Sequence, residues 1–181
     1  AGLGERQIDA PAQAGKYRGN RHARFLARGD RLEFHVGMLG EQTPNSDPSG
    51  DYYAFEKGAT TPDGDGFADV WQRDHFGWEY KGKRKDLVAA YAQLQRYRES
   101  LANPPLLVVC DLDKFEVHTN WNTEPWIYEF RNADIARSNP VEVKTISGAP
   151  AKDAPEVTAL QVLKALFEQP DRLRPERTRE Q

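Results

Sequence analysis

Bulky apolar residues recur through the middle of this chain with two different periods, and the switch between them lays out its architecture. Around 67–72 and 76–81 they crowd into short strand-prone runs, with Phe67, Val70, Trp71, Phe76, Trp78 and Tyr80 enclosing isolated charges. From Asp86 the spacing becomes helical. Leu87, Tyr91, Leu94 and Leu101 form one stripe, Asp86 stands as a first-turn acid, and Asn103-Pro104-Pro105 ends a helix predicted over 86–101. Leu106–Cys110 is a continuous apolar run suited to a central buried strand. Asp111-Leu112-Asp113 then reads as a tight turn into a strand over Lys114–Thr119, and 126–130 as an edge strand. A strand at 52–56 precedes these, with Gly58 to Gly66 as a flexible connection. Near the end, Gly148 to Pro155 reads as a linker and 156–167 as an amphipathic helix stopped by Pro170. The resulting expectation is an α/β fold with a mixed, mostly antiparallel central sheet flanked by helices. Its divisions are a helical segment over 1–40, a core over 41–136, and a linker with a final helix over 137–181.

The charges within the two aromatic runs carry the candidate chemistry. Side chains alternate along a strand, so Glu79 and Lys81 share one face and Tyr80 takes the other. If residues 73–75 turn an antiparallel hairpin, Asp69 falls opposite Glu79, with Cβ atoms about 4.5–5.5 Å apart. Two carboxylates so placed suit Mg2+, which takes hard oxygen ligands and is commonly held by one or two carboxylates, waters and substrate phosphate. Lys81 beside them would orient a water or offset charge developing on phosphorus. In a chain with 29% charged residues an exposed pair of Glu79 and Lys81 is the plain alternative, but enclosing charges among aromatics is costly without a purpose. Glu56 reads either as an accessory metal ligand or as an exposed glutamate at a strand end. Asp111-x-Asp113 sits between strands and reads as turn chemistry, and His118 as a partly covered strand residue.

On the helix, Gln93 and Tyr97 stand at i and i+4 and project from neighbouring turns of one face. With Asp69, Glu79 and Lys81 they resemble the PD-(D/E)xK nuclease superfamily, and the Gln-x3-Tyr pair resembles an element of its RecB-like branch. A narrower resemblance runs from about residue 40 to 122 through YAFEKG, GDGFADVW, WEYKGKRKDL and AYAQLQRYRESLANPPLLVVCDLDKFEVHTNW, and returns in FEQPDRLRPERTRE. These words are similar to the amino-terminal endonuclease domain of MmeI-like restriction-modification enzymes, which fuse nuclease and adenine methyltransferase. The resemblance implies a restriction-endonuclease-like core and a Mg2+-dependent type II endonuclease, with Mn2+ as a substitute, that cuts double-stranded DNA and leaves a 5′ phosphate. It implies that Gln93 and Tyr97 contact DNA or steady the lysine. No Asn-Pro-Pro-Tyr type motif or glycine-rich cofactor loop is present, so methyltransferase and target-recognition regions are expected in a longer protein. A second chain would serve double-strand cleavage. The rival expectations are a non-catalytic DNA-binding or scaffold module of a phage-defence complex and a RecB-like repair nuclease.

Composition modifies this picture little. At 181 residues and 38% hydrophobic content a single domain with a real core is expected. Lone Cys110, the lack of a membrane-spanning apolar run and the lack of a signal-like start point to the cytoplasm. A net charge of -3 gives no overall basic footprint for DNA, so phosphate contact must be local. Lys83, Arg84 and Lys85 directly follow Lys81 and are the first candidates. Basic residues between Lys16 and Arg31, and Arg172, Arg174, Arg177 and Arg179 in the tail, are the second.

Overall fold

The structure, a computed structural model, describes residues 36–174 except 38, 63, 83–85, 112, 122 and 123. The expected amino-terminal helices up to residue 35, the basic run Lys83, Arg84 and Lys85, and Arg177 and Arg179 of the tail therefore lie outside the described residues. Among the described residues, seven strands form one sheet in chain order: β1 (Tyr53–Thr61), β2 (Gly64–Gln72), β3 (Phe76–Tyr80), β4 (Leu106–Cys110), β5 (Lys114–Thr119), β6 (Trp126–Arg131) and β7 (Glu142–Thr145). Every neighbouring pair is antiparallel except β3 and β4, which are parallel because helix α1 (Leu87–Tyr97) carries the chain back between them. The fold is thus α/β with a mixed, mostly antiparallel central sheet.

The two faces of the sheet bury different sets. On one face Val70, Phe76, Trp78, Tyr80, Leu106, Val108, Phe115, Val117 and Tyr128 pack against helix α2 (Ala159–Glu168). On the other, Trp71, Leu107 and Val109 meet Leu87, Ala90, Tyr91 and Leu94 of α1. Alternation along each strand sorts these residues, which is why Val108 and Val109 enter different clusters. Both helices start on side-chain caps. Asp86 accepts the N–H groups of Val88 and Ala89 at 2.9 and 3.1 Å, and Thr158 forms a reciprocal capping box with Gln161.

Several expectations shift. The supposed flexible connection over 58–66 is the outer end of a hairpin of two nine-residue strands, in which Gly58 pairs with Phe67 and Thr61 with Gly64. Ala59 and Ala68 are small enough to lie under α1 there, so burial extends strands that local glycines would weaken. Phe67, expected among the residues enclosing the charges, is instead half exposed. α1 stops at Tyr97 and gives way to turns through Ala102. Ala102 and Asn103 adopt left-handed conformations at φ 60° and 48° before Pro104. Leu101 stays fully buried, and its carbonyl accepts Trp71 Nε1 at 2.8 Å. β6 is interior rather than an edge, because β7 pairs outside it within the stretch expected as a linker. Residues after β7 also fold back on it, through a Lys144↔Pro150 bridge. Within 137–174, β7 extends the sheet and α2 packs into its core. Among the described residues, no helix is long and apolar enough to cross a membrane.

Leu94→Ala should cost about 2–5 kcal/mol in a denaturant titration, since Leu94 is fully buried between α1 and the sheet. Val88→Ala on the exposed side of the same helix should stay within about 0.5 kcal/mol of the parent.

Candidate active site

Asp69 occupies a point where strand pairing lapses on both sides. The β1–β2 ladder joins Phe55 to Val70 and Lys57 to Ala68, passing over Glu56 and Asp69 between them. Glu56 takes φ 49°, a left-handed conformation uncommon for a non-glycine residue. On the other side the β2–β3 ladder runs from Gln72↔Phe76 to Val70↔Trp78 and ends there. This is the register anticipated from a turn at 73–75, and one more step would set Asp69 level with Glu79. In place of that step, Asp69 Oδ2 accepts the backbone N–H of Tyr80 at 2.7 Å. A side-chain oxygen has taken the place of a ladder carbonyl, which holds the carboxylate against the 79–81 segment and keeps the donor satisfied. The facing of β2 also slips here. Ala68 and Trp71 both pack with α1 although three residues apart, while Val70 joins the opposite cluster.

Glu79 on β3 and Lys81 just beyond its end point to one side, as continued alternation would have it, and they meet. Lys81 Nζ lies 2.7 Å from Glu79 Oε1 and donates a second hydrogen bond to Gln93 Oε1 at 3.2 Å. The Lys81 N–H bonds Cys110 O at 2.7 Å, so the lysine backbone is fixed to β4 although it lies just past the end of β3. Asp69 and Glu79 are only 6% and 4% exposed, whereas the Lys81 side chain keeps 26% of its surface in contact with solvent. The result is two largely covered acids, one of which, Glu79, is paired with the more accessible Lys81. α1 supplies Gln93 because its apolar stripe fixes the helix roll: Leu94 and Ala90 face the sheet, and Gln93 comes to the lysine beside them.

Other candidates are placed differently. Tyr97 lies above Gly66 on β2, packed against the cluster under α1. Glu56 is level with Asp69 in the β1–β2 register, but its side chain is exposed. Among the described residues, no group of three or more His, Cys, Asp and Glu side chains gathers to hold a metal. The donors present are two covered carboxylates, which suits Mg2+ with its retained waters better than a metal that demands a closed protein cage. Asp111 does form a turn, its Oδ1 accepting from the N–H groups of Asp113 and Lys114 at 2.8 and 2.7 Å. The described part of the basic tail is engaged locally: Arg172 pairs with Glu168, and Arg174 pairs with Asp171 and lies over the Trp121 ring.

A second polar cluster, on β5 to β7, was not singled out from the sequence. Lys114 bridges Glu116 at 2.8 Å and Glu129 at 3.0 Å, and Lys144 reaches Glu129 at 2.6 Å. His118 is more deeply covered than expected, at 3% exposure. Its ring stacks on Tyr91 of α1 with centroids 3.8 Å apart, and its Nε2 lies 3.3 Å from Glu116 Oε2. The alternation Lys114-x-Glu116-x-His118 was the available signal, since it puts all three on one strand face. The hydrogen bond from His118, with the bond and charge of Lys114, holds the Glu116 carboxyl down at about 2 against the opposing effect of burial. Glu129 is also lowered: burial works against ionisation there, and the two lysines outweigh it. These charges satisfy one another and brace the outer sheet.

In comparisons with known proteins, no family model, no curated protein and no solved structure matches the chain.

A carboxyl depressed on folding stabilises the folded state above its unfolded pKa, and that contribution disappears as pH falls through the folded value. Glu116→Gln should therefore lower the urea midpoint at pH 7 and above pH 4.5, and its deficit should shrink as pH falls from 4.5 toward about 2. Urea titrations of both proteins across that range check this.

Proposed function

We propose that this chain is a Mg2+-dependent DNA endonuclease domain of a restriction-modification enzyme, hydrolysing phosphodiester bonds at Asp69, Glu79 and Lys81. The observation that carries the proposal is the meeting of Lys81 with both Glu79 and Gln93, next to a carboxylate held at a break in the strand ladder. A merely exposed Glu-x-Lys pair would not need a buried glutamate, a second acid fixed through a backbone N–H, or a helix-borne amide on the lysine.

In this mechanism Asp69 and Glu79 would hold Mg2+, or Mn2+ in its place. When bound, the metal supplies Lewis-acid polarisation of a phosphoryl oxygen and an acidified water. The protein's share is positioning and charge. Asp69 is immobilised by Tyr80 N–H, so its remaining acceptor capacity is directed without further ordering. Lys81 keeps its ammonium beside Glu79, where it can donate to the attacking water or to phosphoryl oxygens as negative charge builds. Gln93 is a second acceptor that keeps the amine at the site when Glu79 turns its oxygens to other work. Water adds to phosphorus, the bond to the 3′ oxygen breaks, and the products are a 3′ hydroxyl and a 5′ phosphate. The residues named handle metal and backbone and do not read base edges, so target choice belongs to a separate recognition region. Lys83, Arg84 and Lys85, following Lys81 in the chain, would hold the phosphate backbone. Double-strand cleavage would bring two such chains together, and a restriction role places the protein in the cytoplasm.

The test is nicking of supercoiled DNA with Mg2+ or Mn2+ by the parent chain, Lys81→Ala and Glu79→Gln. The parent should nick only with metal, and each variant should lose about 100-fold or more in rate while remaining folded by circular dichroism. Nicking that survives in Lys81→Ala would remove the proposed chemistry. A folded parent that does not nick would favour a non-catalytic DNA-binding or scaffold module.

A further inference from the structure

We infer that Gly66 is a positioning residue: its missing side chain is the seat for the Tyr97 ring, and through Tyr97 it sets where α1 presents Gln93 to Lys81. The inference rests on the nuclease reading for its functional consequence and on geometry alone for the seat. A Cβ built at Gly66 would come within 3.0 Å of three Tyr97 atoms, Oη, Cζ and Cε1. Real Cβ atoms essentially never come closer than 3.0 Å, and the clash falls on the hydroxyl end of the ring, so that end would have to move away from Gly66.

Backbone conformation does not require glycine here. Gly40, Gly50, Gly64 and Gly148 occupy positive φ, and Gly66 is not among them. Gly58, nearby on β1, would place a Cβ in ordinary contact, 3.8 Å from Phe67 Cε1. Gly66 therefore reads as glycine for the close approach of one side chain.

That approach belongs to a set of ties between the end of α1 and the β1–β2 hairpin. Ser100 Oγ donates to Thr60 O at 2.6 Å, and Trp71 Nε1 donates to Leu101 O at 2.8 Å. Of these ties, Tyr97 over Gly66 is the nearest along α1 to Gln93. It lies one turn beyond Gln93 on the helix and three residues before Asp69 on the strand, so it links the element carrying the lysine's acceptor to the element carrying the acid. Small displacements matter at such a joint, because catalytic groups misplaced by about 1 Å can cost about 100-fold in rate.

The experiment is a double-mutant cycle of Gly66→Ala, Tyr97→Ala and the pair, read by Mg2+-dependent nicking and by crystal structures of the four proteins. Gly66→Ala should lower kcat about tenfold with KM for DNA nearly unchanged, and it should widen the Lys81 Nζ to Gln93 Oε1 separation beyond hydrogen-bond reach. In the Tyr97→Ala background the same alanine should change neither quantity further, since no ring remains to be displaced. A Gly66→Ala protein that keeps Tyr97 over β2, retains the Lys81–Gln93 contact or nicks at the parental rate would overturn the inference. So would an equal loss in both backgrounds. If the parent does not nick, the nuclease reading fails, and the crystal comparison still decides whether Gly66 seats Tyr97.

Discussion

The site depends on a backbone donor that the sheet leaves without its ladder carbonyl. Beyond Val70↔Trp78 the strands β2 and β3 no longer pair, and a buried N–H left there without an acceptor would be costly. Asp69 resolves this by bonding Tyr80 N–H with its own carboxylate. One interaction thus ends the ladder, satisfies the donor and fixes an acid beside Glu79. Lys81 then offsets part of the negative charge concentrated there. Lys81 is the cation that pairs with covered Glu79, and Asp69 is the acceptor that the Tyr80 N–H meets, so each charge has a defined partner in the fold.

Helix α1 serves the same arrangement from above. It is the crossover between the parallel neighbours β3 and β4, so it passes directly over the strand that carries Glu79 and leads into Lys81. Asp86 caps its start close after Lys81, its apolar stripe fixes its roll, and its end is tied to the hairpin through Trp71, Ser100 and Tyr97. A helix held at both ends can hold Gln93 at the lysine without relying on the exposed side of the molecule. Tyr91 adds a lateral contact by stacking on His118, so the outer polar cluster also braces the helix.

Much of this was legible in the chain, and the misses have physical causes. Strand periodicity located β3, β4 and β5 closely and the inner part of β2, because short aromatic or β-branched runs bounded by turn residues have few other uses. The hairpin register followed from its turn and the shared side of Glu79 and Lys81 from alternation, whereas Gln93 at the lysine was only what the family resemblance implied. The outer half of the β1–β2 hairpin did not show itself, since Gly58, Ala59, Gly64 and Gly66 look like a loop until α1 is seen packed on them. β7 was missed because its four residues are half-buried or exposed and carry almost no apolar signal. The slip in facing between Ala68 and Val70 has no sequence signature, and Glu56 in a left-handed conformation beside it could not be read from alternation.

The most direct test of paired carboxylates as the metal site is direct binding of Mn2+, followed by electron paramagnetic resonance, to the parent protein and to Asp69→Asn. The substituted amide oxygen can still accept the Tyr80 N–H while one charge is removed, so the fold should survive. The expected result is saturable binding by the parent and a loss of about tenfold or more in affinity for the variant. Equal binding by both proteins, or none by a folded parent, would contradict the assignment of Asp69 and Glu79 as metal ligands.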